Sequence, residues 1–135
     1  MAKISNIKPA YFLGTMITNP KVLGGKVADM ITAMTEKKTV TQLTSISTGV
    51  SLNAQSGVVT TFALTTAADT DCGSFTVTNN KCYSNSVVMI TVVNPGTGFP
   101  VAAITSTSNG SFVVSLRNAG SAVLNSALKV NFQII

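Results

Sequence analysis

The chain has 135 residues, enough for one sizeable domain and too few for two. It is 45% hydrophobic and only 10% charged, where an ordinary soluble domain carries about 25% charged residues, so intrinsic disorder is excluded. His and Trp are absent, which removes any imidazole base or ligand, and no apolar stretch approaches the ~18 residues of a spanning helix.

The net charge of +5 is unevenly placed. In residues 1–38, Lys3, Lys8, Lys21, Lys26, Lys37 and Lys38 face only Asp29 and Glu36. From Thr39 onward, Lys81, Arg117 and Lys129 stand against Asp69 and Asp71, leaving that part near neutral. Such asymmetry separates a basic arm (1–38) from a body (39–135). Low net charge in the body favours association with other copies or other proteins.

Within the arm, Tyr11 and Phe12 begin an apolar run to Ile17, closed by Thr18-Asn19-Pro20 with no small-residue cleavage site following, so no secretory signal is expected. Between Gly25 and Thr39, Val27, Met30, Ile31 and Met34 fall at i, i+3, i+4 and i+7, one stripe of a short helix. Asp29 near its start and Lys37-Lys38 at its end suit the helix dipole. A helix this short is unstable alone and must dock on something. The arm is therefore expected to be extended, with one short helix.

From Thr39 the period changes to two. Residues 40–46, 50–52 and 58–64 are the first strand candidates, separated by Gly49 and by Gln55-Ser56-Gly57. Residues 74–78 alternate and end in the turn Asn79-Asn80-Lys81. Val88, Ile90 and Val92 alternate until Asn94-Pro95-Gly96-Thr97-Gly98. Residues 101–106 lead to Asn109-Gly110, the strongest short hairpin signal, after which Phe112, Val114 and Leu116 face one way and Ser115 and Arg117 the other. Asn118-Ala119-Gly120 breaks that run, and Leu128, Val130, Phe132 and Ile134 form the inward set of the last strand. Seven to eight short strands with such turns predict an antiparallel β sandwich or jelly roll. Its solvent positions hold Thr, Ser and Asn, which satisfy hydrogen bonds between strands or subunits without burying charge.

Candidate chemistry is sparse. Asp69 and Asp71, two apart, would share a face of a strand, but the rest of a calcium loop is missing and a polar turn before a strand explains them. Ser and Thr hydroxyls have no His to activate them, and no Gly-x-Ser-x-Gly elbow occurs. Gly24-Gly25-Lys26 fails the phosphate-loop spacing, because Val27 follows the lysine. Asn109-Gly110-Ser111 fits a glycosylation acceptor, although the tight turn is the stronger reading. Cys72 and Cys82 permit one disulfide in an oxidising compartment; two half-buried thiols in a reducing cytoplasm is the favoured alternative, since one bridge is not a framework. The arm lysines beside Tyr11 and Phe12 suit single-stranded nucleic acid or an acidic protein surface. A single arginine in the chain argues against groove readout and for protein docking.

Two segments carry a resemblance. Residues 41–53 (TQLTSISTGVSLN) with 56–61 (SGVVTT) resemble the opening of small virion structural proteins of tailed bacteriophages, and residues 110–118 (GSFVVSLRN) with 124–132 (LNSALKVNF) resemble their ending. Cys72 and Cys82 depart from the usual pattern. The resemblance implies a decoration (cement) or head-fibre protein: a β sandwich, often trimeric, bound to the major capsid protein on the outside of an assembled capsid and resisting the pressure of packaged DNA. It implies no catalytic residues, and no cofactor is expected.

The resulting expectation is a non-enzymatic virion protein on the capsid exterior, assembled in the host cytoplasm. It would be a homo-oligomer, a trimer being favoured, with no membrane or nucleic-acid partner. Its capsid-docking arm uses Lys3, Lys8, Tyr11, Phe12, Lys21, Lys26, Val27, Met30, Ile31 and Met34. The rival reading is a receptor-binding or adhesive knob whose loop 94–100 contacts host glycans. A third, a wall hydrolase, would have to work through Asp69 and Asp71.

Overall fold

The structure, a computed structural model, describes residues 37–135. The arm helix and every arm docking residue named above lie outside the described residues. The described residues form eight strands: β1 (Lys37–Thr41), β2 (Val50–Ser51), β3 (Ser56–Thr60), β4 (Thr70–Thr78), β5 (Val88–Val93), β6 (Pro100–Ser108), β7 (Ser111–Asn118) and β8 (Lys129–Ile134). Two four-stranded sheets result, ordered β1-β3-β8-β5 and β2-β4-β7-β6.

Alternation builds both. In β7 Phe112, Val114 and Leu116 are buried, and in β8 Val130, Phe132 and Ile134, while the residues between them turn outward. These inward sets join Val59, Phe75 and Val77 in one apolar cluster, giving a sandwich-like, all-β body. Phe112 of one sheet meets Phe132 of the other edge-on, with ring centroids 5.2 Å apart at 61°. Leu124 and Leu128, fully buried between β7 and β8, extend the core under the connecting segment.

The sheets are mixed, not antiparallel as expected. β1 runs parallel to β3 and β2 parallel to β4, whereas all other pairs are antiparallel. The reason is the route of the chain. Strands β1 to β4 alternate between the sheets, so β1 and β3 (like β2 and β4) are separated by two crossings and return in the same direction. Period-two alternation reports which face a side chain takes and carries no information on the direction of its neighbour. β1 also begins at Lys37, inside the range assigned to the arm, and residues 62–64 leave the strand because Thr61 turns the chain: its hydroxyl donates to the Phe62 carbonyl (3.0 Å) and accepts the Leu128 N–H (2.9 Å).

The hairpin β6–β7 joins two strands within one sheet, closed by Asn109-Gly110 with Ser108 opposite Ser111. Gly110 (φ 92°) and Gly98 (φ 86°) both take the left-handed backbone, but their surroundings differ. A Cβ on Gly110 would meet nothing within 4 Å, whereas one on Gly98 would sit 2.8 Å from Leu124 Cα and Cβ. Gly110→Ala is expected to cost only the conformational term, about 1–2 kcal/mol. Gly98→Ala should cost about 1–3 kcal/mol more, because Leu124 is packed backbone and cannot retreat. Urea unfolding of the two variants side by side measures that difference.

Candidate interaction surface

One end of the body is formed by the segments 42–49, 61–69, 94–99 and 119–128. Buried amides tie these loops together. Asn118, at the end of β7 and fully buried, accepts the N–H groups of Phe99 (3.0 Å) and Gly120 (3.1 Å) on Oδ1. Its Nδ2 donates to the carbonyls of Thr66 (3.1 Å), Ala67 (3.0 Å) and Ala122 (2.8 Å). Gln42 holds the 42–48 turn by donating to the carbonyls of Ile46 (3.0 Å) and Thr48 (2.7 Å) and accepting the Phe62 N–H (3.1 Å). In the β5–β6 loop, Asn94 donates to the carbonyls of Thr97 (3.0 Å) and Gly98 (3.2 Å) and accepts from Gly96 N–H and the Ser126 hydroxyl. Each of these loops is thus held by side chains whose polar groups are satisfied.

What the staples present is apolar. Phe99 is 65% exposed and Leu43 83%, and Phe62, Val93, Val101 and Val123 are also exposed at this end. Large apolar side chains held in solvent by an ordered scaffold mark a contact surface more readily than a folding device. The loop 94–100, named from the sequence, contributes Phe99; nothing in the sequence marked Asn118, which read only as a strand breaker.

The outer face of the β2-β4-β7-β6 sheet is different. Phe75 and Val77 point inward, so Ser74, Thr76 and Thr78 point outward, and cross-strand register places Ser51, Thr78, Ser111 and Ser108 in one row and Ser74, Ser115 and Ala103 in another. These rows are uncharged and mostly hydroxyl, with Val113 between them and Val101 beside Arg117 on the same face. Its charged margin is Arg117, whose guanidinium binds Asp69 Oδ1 (2.6 Å) and Asp71 Oδ1 (2.8 Å) and donates to the Asp69 carbonyl (3.1 Å). Hydrogen bonds from Arg117 to Asp71 and then Asp69 raise the guanidinium above its ordinary range, so it is charged at any working pH. Both carboxylates are exposed and engaged by Arg117, with Asp69 in the left-handed region (φ 51°). This ion-pair cluster was not foreseen from the Asp69–Asp71 spacing. Replacing Arg117 with Met is expected to leave the unfolding midpoint nearly unchanged, because all three groups stand in solvent; thermal denaturation checks it.

The remaining candidates are structural. Cys72 lies near the start of β4 and Cys82 beyond its end, about 20 Å of strand apart, far outside disulfide reach, and both are free. Cys82 is fully buried, not half-buried, and its thiol donates to the Ser111 carbonyl (3.3 Å). Asn109 serves the hairpin turn, accepting the Ser84 N–H (3.0 Å). Among the described residues no three His, Cys, Asp or Glu side chains gather as a metal set, and no helix is long and apolar enough to cross a membrane. An open depression of about 350 Å³ lies on the outer face of the β1-β3-β8-β5 sheet, lined by Lys37, Ser56, Met89, Thr91, Asn131 and Gln133 among others. Comparison of the chain with protein-family models, with curated proteins and with solved structures finds no match.

Proposed function

We propose that this chain is a virion structural protein that decorates and stabilises the outside of a phage capsid as a multimer, with residues 1–38 gripping the major capsid protein. The observation that carries this reading is a body with little charge to repel neighbours. Apart from Lys37, Lys38, Lys81, Lys129 and the Arg117–Asp69–Asp71 cluster, its surface is hydroxyl, amide and apolar. Close packing against a lattice suits such a surface, and the arm's lysines suit an acidic partner. The resemblance of residues 41–53, 56–61, 110–118 and 124–132 to phage virion proteins points the same way.

A second reading, an adhesive or receptor-binding knob, draws on Phe99 and its neighbours at the loop end. One experiment separates the two. Full-length chain is cosedimented with undecorated capsids after Lys3, Lys8, Lys21 and Lys26 are changed to Glu, or after Phe99→Ser with Val123→Ser. Capsid decoration through the arm predicts loss with the first set and retention with the second. Retention with the first set overturns the arm's role.

A further inference from the structure

We propose that the edge of β5 that pairs with no strand among the described residues is a self-association site, on which a second copy of this chain adds its own β5 about a two-fold axis at Ile90. Each sheet has two edges, and an unprotected edge is a template for another strand. Three of the four are blunted. β1 carries Lys37 and Lys38, β2 is two residues long, and β6 starts at Pro100 and is bulged between Ile104 and Ser106. β5 has none of these devices: Val87 to Val93 reads Val-Val-Met-Ile-Thr-Val-Val, without charge, proline or bulge.

The hydrogen-bond parity fixes how a second copy would fit. Val87 and Ile135 exchange both backbone bonds (3.2 and 2.8 Å), so by alternation Met89, Thr91 and Val93 also point their N–H and C=O groups toward β8. The N–H and C=O groups of Val88, Ile90 and Val92 therefore point outward, and they have no partner among the described residues. A two-fold at Ile90 sets Ile90 opposite its own copy and Val88 opposite Val92, which pairs all six groups reciprocally. The same axis keeps inward side chains on one face, and on the other it sets Met89 (57% exposed) beside Thr91 and Val87 beside Val93. No like charges meet. β6, which faces β5 across the core, carries only uncharged side chains, several of them small, at its own edge.

The size of the contact sets its strength. A six-residue edge is about 20 Å long and a two-sheet wall is about 15–20 Å deep, or about 300–400 Å² per copy. That lies below the roughly 800 Å² per partner of a stable complex, so the expected dimer is weak and exchanges with monomer. This inference stands on the edge chemistry alone and is independent of the capsid reading.

Sedimentation of the full-length chain from about 1 to about 500 μM should show a monomer–dimer equilibrium. Met89→Lys with Thr91→Lys, which faces lysines across the axis, should weaken it at least tenfold, with circular dichroism and melting midpoint retained. The same charge added at Thr39 and Thr41, on the opposite edge strand, should not. Amide exchange at Val88, Ile90 and Val92 should slow with protein concentration while Met89 and Thr91 stay protected throughout. A monomer at every concentration, a trimer, or a dimer unaffected by the lysine pair would overturn the proposal.

Discussion

Asn118→Ala is expected to lower stability by about 3–5 kcal/mol. Its side chain satisfies two N–H groups and three carbonyls from three loops, all at a fully buried position. Each buried polar group left without a partner costs about 1–3 kcal/mol, and partial opening of the loops to water limits the sum. Against a total of about 5–15 kcal/mol this is a large fraction, equivalent to a fall of roughly 15–25 °C in melting midpoint for a body of this size. Asn118→Asp separates shape from bonding. It keeps an acceptor for Phe99 and Gly120 but turns a carboxylate oxygen toward three carbonyl oxygens, so it should be at least as damaging as Ala. Denaturant unfolding reads the energies, and amide exchange should localise the loosening to residues 94–99 and 119–128, sparing the Asn109-Gly110 turn. A loss below about 1 kcal/mol would mean that the loops hold themselves.

Phe112→Ala should cost a similar amount, about 3–5 kcal/mol, by a different route. Phe112 is 1% exposed on a central strand, and its ring bridges the sheets by meeting Phe132 edge-on. Truncation opens a cavity that both sheets line, and the neighbouring strand β4 and the opposing strand β8 are pinned by their own ladders and cannot close it. Phe112→Leu, which keeps most of the volume, should cost less than half as much. A double-mutant cycle with Phe132→Leu should return about 0.5–1.5 kcal/mol of coupling between the rings. Additive losses would show that the two rings contribute area only.

The contrast between these residues also explains how much could be read in advance. Phe112 announced itself, because Phe112, Val114 and Leu116 alternate with Val113, Ser115 and Arg117, and burial follows that alternation. Asn118 did not. An asparagine before Ala-Gly reads as the end of a strand, and its five partners come from positions up to 52 residues away. The ion-pair cluster behaves likewise: Asp69 and Asp71 are local neighbours, but Arg117, which binds both, belongs to the paired strand β7.

The amino-acid order by itself determined the β-rich body, the inward sets of β7 and β8 and the Asn109-Gly110 hairpin, because face alternation and tight turns are decided within a few residues. Only the tertiary structure decided that the sheets are mixed, that β5 ends its sheet among the described strands, and that buried amides hold one end together. Those features depend on which distant segments become neighbours, and a two-residue period is the same whatever lies beside it.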